Sequence, residues 1–253
     1  MQLDPKGSLK ALVPERLLNA RRRLLNRRAD RAFLDKSPEE IFSRVYRTSE
    51  WSRSDEDGRP FYSGTGSHDG SMVDGYSEPV TAFLASLDHK PDAVDLGCGD
   101  FNIGSRIRPF CGRYVACDVV ADLIEHNEAQ FGDLDVEFRR VDITRDPLPA
   151  GEVVFLRQVL QHLSNEHIGL VVQKLQSSGY RYLVLTEELP RDANFVPNVD
   201  KPTGPGTRTG RGTPDSGVVL TAAPFNLPVK SEEVLWETDA PDPLFRTTVY
   251  ELC

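Results

Sequence analysis

A chain of 253 residues with 39% hydrophobic and 27% charged residues holds enough material for one α/β domain with extensions, or at most two small domains, and has the balance of a soluble globular protein. The net charge of −9 is unevenly spread: residues 1–33 carry nine Lys and Arg against Asp4, Glu15 and Asp30, a surplus of +6 that leaves −15 on the remainder and argues against a general nucleic-acid binder. No apolar run approaches the length of a membrane span, residues 1–10 hold Asp4, Pro5 and Lys6 rather than a secretory core, and Cys98, Cys111, Cys117 and Cys253 show neither a Cys-x-x-Cys pair nor zinc spacing, which predicts a reduced, cytoplasmic protein with no structural metal.

In chain order, the first expected element is a helix from Pro14 to about residue 33. Val13, Leu17, Ala20 and Leu24 recur at helical spacing, Leu18 and Leu25 widen the stripe, and arginines cover the rest. Two readings stand side by side. The helix packs on its own body or on a partner subunit of an oligomer, or it touches anionic lipid at the inner face of a membrane or a membrane-bound assembly. Ser37-Pro38-Glu39-Glu40 reads as a capped helix start leading into 41–46, and 51–60 as a polar surface loop. Residues 1–60 are thus expected to form a helical arm and loop, and 61–253 the main domain. That domain opens with a glycine and hydroxyl cluster, Tyr62-Ser63-Gly64-Thr65-Gly66-Ser67, ahead of a helix at about 78–87.

The stretch Ala93-Val94-Asp95-Leu96-Gly97-Cys98-Gly99-Asp100-Phe101-Asn102 carries the most information. A short apolar run that ends in an acid and Gly-x-Gly reads as a buried parallel strand breaking into a tight loop before a helix. Glycines allow backbone to approach a ligand where a Cβ would clash, and the following helix offers free N–H groups. A dinucleotide fingerprint would need a third glycine at position 102, where this chain has Asn102. Asp95-Leu-Gly-Cys-Gly resembles the first motif of the class I S-adenosylmethionine-dependent methyltransferases, and Gly-Cys-Gly-Asp-Phe-Asn is similar to a bacterial subgroup of them. The resemblance covers roughly residues 60–253. It implies S-adenosylmethionine as cofactor, held by Asp95, Gly97, Cys98 and Gly99. It also implies that Ser63 and Gly64 close over the methionine end of the cofactor or over the acceptor.

Further along, a short helix is expected over 104–110 and a second strand over 113–117. Asp118 lies about twenty residues past the glycines, where doubly wound folds bond a ribose, although an acid there also suits a cap for a helix over 121–129. A third strand, 136–141, is followed by Asp142-Ile143, which the resemblance assigns to the adenine amino group and ring face. A fourth strand, 152–158, leads into Arg157-Gln158-Val159-Leu160-Gln161-His162. If the chain turns helical after Gln158, then Gln158 and His162 project together into the cleft, Gln158 on the cofactor and Arg157 on the acceptor. His162 then either takes a proton from an acceptor hydroxyl or holds the loop by a hydrogen bond.

A helix over 168–177 and a fifth strand over 180–186 follow. Glu187 and Glu188 end that strand, one to polarise and one to bind a substrate hydroxyl, unless they are plain caps. Residues 190–217, rich in Pro, Gly, Thr and Arg, read as an acceptor lid whose Asn198, Lys201, Arg208 and Arg211 suit a hydroxylated or anionic acceptor. An apolar strand over 218–220, Pro224-Phe225-Asn226-Leu227, and strands over 234–237 and 245–252 joined as an antiparallel hairpin complete the chain.

The expected fold is a seven-stranded α/β sandwich, Rossmann-like and mostly parallel. The expected reaction is in-line methyl transfer to a hydroxyl of a sugar, surface glycan or small natural product. The alternatives are a non-catalytic cofactor-binding or regulatory protein on the same fold and a nicotinamide-dependent oxidoreductase.

Overall fold

The computed structural model describes residues 33, 35–51, 60–209, 213, 215–239 and 243–253. The expected basic helix over 14–33 lies outside these but for Phe33, as does Arg211. One seven-stranded sheet organises the rest, in the order β3-β2-β1-β4-β5-β7-β6. The strands are β1 (Ala93–Leu96), β2 (Tyr114–Asp118), β3 (Glu137–Arg140), β4 (Val153–Arg157), β5 (Tyr182–Leu189), β6 (Val229–Glu237) and β7 (Leu244–Leu252). β1 to β5 run parallel, and β7 lies antiparallel between β5 and β6. From β1 the chain winds outward through β2 to β3, then returns to place β4 on the other side of β1. That reversal opens a crevice at the carboxyl ends of β1 and β4.

Buried on both faces, the central strands alternate between two apolar layers. Val94, Leu96, Val154 and Leu156 point toward α5 (Asn165–Ser177), and Ala93, Val153 and Phe155 toward α2 (Gly70–Ala85). The first helix, α1 (Pro38–Arg47), begins at the expected capping box: Ser37 Oγ accepts from Glu40 N at 3.3 Å, and Glu40 Oε2 accepts from Ser37 N at 2.8 Å.

Several elements differ from the sequence expectation. α2 starts eight residues before position 78, because Asp69 caps it by accepting from Ser71 N at 3.1 Å and Met72 N at 3.2 Å. Gly70, Ser71 and Gly75 are weak helix formers, but Gly75 leaves room for Trp236, whose indole would stand 2.7 Å from a Cβ there. The helix expected over 104–110 ends as α3 (Gly104–Ile107) and continues as a 3-10 turn, Arg108–Phe110, around Pro109. α4 (Ala121–Phe131) follows β2. β5 runs through Glu187 and Glu188 instead of stopping before them, and alternation sends the two acids to opposite faces. The strand expected over 218–220 does not form: the Asn198 side chain accepts from Val219 N at 2.9 Å and donates to Val219 O at 2.8 Å, taking the groups a ladder would use.

Phe101 is the keystone of the α2 layer. It is fully buried, with φ 58°, and its ring meets Tyr114, Phe131 and Phe138 edge-on at 5.7, 5.3 and 5.0 Å. It also lies so close to Gly104 that a Cβ there would stand 2.2 Å from the ring. Phe101→Ala is expected to cost about 3–5 kcal/mol, read from the urea midpoint at unchanged slope; a loss under about 1 kcal/mol would remove the ring from this role.

Candidate active site

The Gly-rich loop is shaped by two backbone bonds to one carbonyl. Gly97 N and Cys98 N both donate to Cys117 O, at 2.8 and 2.9 Å, which ties the end of β1 to the end of β2. Gly97 has φ +81°, and a Cβ on it would sit 2.4 Å from Val159 Cγ2, so the loop closes only with glycine there. Asp118, at the end of β2, accepts from Gly99 N at 3.2 Å and Val120 N at 3.1 Å, and so spans the loop and the start of α4. Asp95, in β1, accepts from Tyr114 Oη at 3.1 Å.

Residues 63–67 are clasped onto this loop. Ser63 N donates to Asp100 Oδ2 at 3.1 Å while Asp100 N donates to Ser63 Oγ at 2.8 Å. Asn102 Nδ2 donates to Ser67 O at 2.6 Å. Arg157 extends from the end of β4 to donate to Gly66 O at 2.5 Å and Ser67 Oγ at 3.2 Å, with its guanidinium 5.0 Å above the Tyr76 ring.

Beneath the clasp lies a cavity of about 490 Å³, within the range of small-molecule sites. Its walls include Asp95, Gly97, Cys98, Gly99, Asp118, Asp142, Ile143 and Gln158, together with Ser63, Gly64, Arg157, Glu188 and His162. The geometry therefore brings together on one surface all ten positions read from the sequence as cofactor-binding. Asp142 Oδ1 accepts from Thr144 N at 2.9 Å and Thr144 Oγ1 at 2.7 Å, which holds the start of the following turn beside Ile143.

Gln158 does not begin a helix. Its φ is +57°, an unusual value for a residue with a Cβ, and its N–H donates to Thr186 O at 2.8 Å. The chain then makes a 3-10 turn, Leu160–His162. Gln158 Nε2 and His162 Nδ1 are buried without a hydrogen bond among the described residues, as is Arg157 Nε.

Four other positions read as site residues lie outside the cavity wall. Glu187 is 2% exposed and faces the buried Arg208. Arg208 donates to Leu163 O at 2.6 Å and to Val199 O. Asn198 Nδ2 bonds Val219 O and Ala223 O at 2.8 and 2.9 Å. Lys201 Nζ donates to His162 O at 3.3 Å. Residues 190–209 are thus strapped to the segment that carries His162: Gly204 N also donates to His162 O, at 2.9 Å, and Thr203 Oγ1 accepts from Ser164 N at 2.9 Å. The lid reaches the cavity through Pro205 and Thr207 instead.

Phe42, Tyr46 and Trp51 complete the wall, and the sequence reading missed them. Trp51 lies 5.1 Å from the His162 ring and 5.4 Å from Tyr46, and its Nε1 donates to Pro205 O at 3.2 Å. The available signal was the aromatic pair Phe42 and Tyr46, four apart on one helix face. Among the described residues no group of three His, Cys, Asp or Glu is placed to hold a metal ion, and no helix is long and apolar enough to cross a membrane.

Burial dominates the electrostatics. It raises the Asp95 carboxyl to about 7, against the opposing effects of Tyr114 and Arg157, and Asp118 to about 6, against three backbone N–H groups. It raises Glu187 to about 8 despite Arg208. Burial, reinforced by the charge of Lys201, lowers His162 to about 3, so its imidazole is neutral at ordinary pH.

No family model matches the chain, and no curated protein matches it in sequence. Its fold does match solved structures. The N-methyltransferase NodS from Bradyrhizobium japonicum WM9, in complex with S-adenosyl-L-homocysteine, aligns over 82% of this chain and 98% of its own, with a TM-score of 0.56 at 11% identity. DhpI, also in complex with S-adenosylhomocysteine, aligns over 86% of this chain and 98% of its own, with a TM-score of 0.52 at 18% identity. Human N-acetylserotonin methyltransferase, in complex with S-adenosylmethionine, aligns over 72% of this chain at 17% identity and a TM-score of 0.48; the chain spans about half (52%) of that protein's length. The chain has the Rossmann-like methyltransferase fold, with the antiparallel β5-β7-β6 edge.

The raised acids carry a pH signature. Asp95, Asp118 and Glu187 hold more protons folded than unfolded, so their contribution is full below the ordinary carboxyl range and is lost as pH rises through about 6 to 8. His162 acts in the opposite sense, and its contribution is lost only as pH falls from the ordinary imidazole value toward about 3. The ligand-free protein is expected to lose stability between about pH 4 and 8, by up to about 1.4 kcal/mol per pH unit for each titrating group. Thermal melts across that range check this, and Glu187→Gln should flatten the upper part of the decline.

Proposed function

We propose that the protein transfers a methyl group from S-adenosylmethionine to a small-molecule acceptor, with a hydroxyl of a sugar, glycan or natural product as the nucleophile. The observation that carries this reading is the cavity at the β1/β4 reversal. There the Gly-rich loop, the strand-end acid Asp118 and the unpaired Gln158 and His162 share one surface. Two neighbours of the same fold, NodS and DhpI, were solved with S-adenosylhomocysteine bound, which supports the choice of cofactor.

The residues fit that cofactor. Asp118 is positioned to accept from a ribose, and Asp142 and Ile143 to border an adenine. Asp95 and Asp100 supply negative charge suited to an ammonium and a sulfonium. When bound, the cofactor supplies a methyl carbon already activated by its positive sulfur. The chain's own work is then orientation and exclusion of water by the 63–67 clasp, α1 and the strapped lid.

His162, neutral and with a buried Nδ1 that lacks a hydrogen bond among the described residues, is the group to accept a hydrogen bond from the acceptor hydroxyl. With the cofactor in place, the hydroxyl proton would pass to Nδ1 as its oxygen took the methyl group. Glu187, outside the cavity wall, has no part in this step.

Calorimetry with S-adenosylmethionine and S-adenosylhomocysteine is expected to show binding of both and none of NAD. Asp118→Ala should weaken binding by about tenfold or more. His162→Ala should leave cofactor affinity within about threefold and lower turnover by about 10²–10⁴-fold. Absence of cofactor binding sinks the whole reading, and unchanged turnover in His162→Ala removes the base.

A further inference from the structure

We propose that Gln161 and the backbone of the lid position His162 for its work: they hold the proton of the neutral ring on Nε2 and leave Nδ1 as a bare lone pair. The catalytic meaning of this rests on the methyl-transfer reading, because only that tautomer can take a proton at Nδ1. A neutral imidazole has one N–H and one lone pair, and the partner of one nitrogen decides the state of the other. The ring itself is fixed. His162 closes the 3-10 turn Leu160–His162 with its N–H on Val159 O at 3.1 Å, and its ring meets Trp51 at 5.1 Å and Phe42 edge-on at 6.3 Å.

Gln161 sits beside it in the same turn, 4% exposed, with its amide Nε2 at 3.4 Å from His162 Nε2 and its Oε1 without a partner. An amide's oxygen and nitrogen are assigned by the bonds they make, so two arrangements satisfy this contact. Either the Gln161 N–H donates to a bare Nε2 and the ring proton sits on Nδ1, or the amide is turned by half a rotation and its Oε1 accepts from Nε2–H. The lid decides between them. Trp51 Nε1 donates to Pro205 O at 3.2 Å, which brings that carbonyl beside the imidazole that Trp51 touches, and Gly204 N holds His162 O at 2.9 Å. Burial and the charge of Lys201 oppose a second proton on the ring, while the carbonyls of Gly206, Pro205 and Gly204 act toward holding it. A carbonyl can only accept, so these groups face an N–H. Nδ1 has no partner, which places that N–H on Nε2. The opposite tautomer would turn a lone pair toward the carbonyls and bury an N–H at Nδ1 with no acceptor, and a buried donor left unsatisfied is costly.

The test reads the tautomer directly, by nitrogen NMR of protein isotopically labelled in its five histidines, with His162→Ala to identify the signal. In the wild type, free and loaded with S-adenosylhomocysteine, His162 Nδ1 is expected in the unprotonated range and Nε2 in the N–H range. Gln161→Met keeps the length of the side chain, removes the amide and should raise the Nδ1–H form about fivefold. Gln161→Glu, which keeps an acceptor oxygen, should hold the wild-type pattern. A wild-type proton on Nδ1, or a tautomer ratio that Gln161→Met leaves unchanged, overturns the inference. A Gln161 that served packing alone would change stability in Gln161→Met and leave this ratio as it was. Calorimetry with S-adenosylhomocysteine is run on the same wild-type sample: failure to bind counts against the methyl-transfer reading, and the spectrum of the free protein still decides the tautomer.

Discussion

The structure depends on one shared acceptor, the Cys117 carbonyl at the end of β2, which takes both Gly97 N and Cys98 N from the end of β1. Two donors on one oxygen pull the chain into a turn too tight for a side chain at position 97, where Val159 fills the space a Cβ would need. Asp118 follows directly and bonds the far side of the same loop through Gly99 N. Loop shape, the direction of the strand-end carboxylate and the start of α4 are therefore one arrangement. Loss of any of these contacts would disturb all three.

Around that loop the chain builds its enclosure from segments distant in sequence. The 63–67 turn is held by Asp100 and Asn102 from the loop and by Arg157 from β4. α1 and Trp51 close the opposite wall, with Trp51 bonded to Pro205 of the lid. The lid itself is tied to the His162 segment at 162, 163, 164 and 165. It forms a fixed wall in this structure, and its polar side chains serve its own fold.

The buried Glu187 and Arg208 show the energetic cost of such a wall. Each loses hydration, Glu187 rises to about 8, and Arg208 keeps its charge by donating to two carbonyls. Buried ionic groups are weak contributors to net stability, but they penalise misplacement strongly, because an unpaired partner would be left in a dry interior. Here Arg208 ties the lid at Val199 to Leu163 ahead of α5, and so helps to bring His162 and Pro205 to the same cavity.

The sequence by itself determined the succession of strands in the domain's opening half, the Gly-rich loop, the acids Asp95, Asp118 and Asp142 at or near strand ends, and the α1 capping box. These are local: an apolar run, a glycine that needs positive φ, and a cap three residues from its partner are all decided within a few positions. Tertiary structure alone decided which polar residues face the cavity. Glu187 and Glu188 are adjacent in sequence, yet strand alternation sends one to the lid and the other to the cavity. Arg208 and Asn198 have the chemistry of ligand-binding residues, but long-range carbonyls claim them first. Trp51 gains its place only when α1 folds back over the lid. Composition shows which hydrogen-bonding groups exist, and only the completed fold shows which of them the protein has already satisfied.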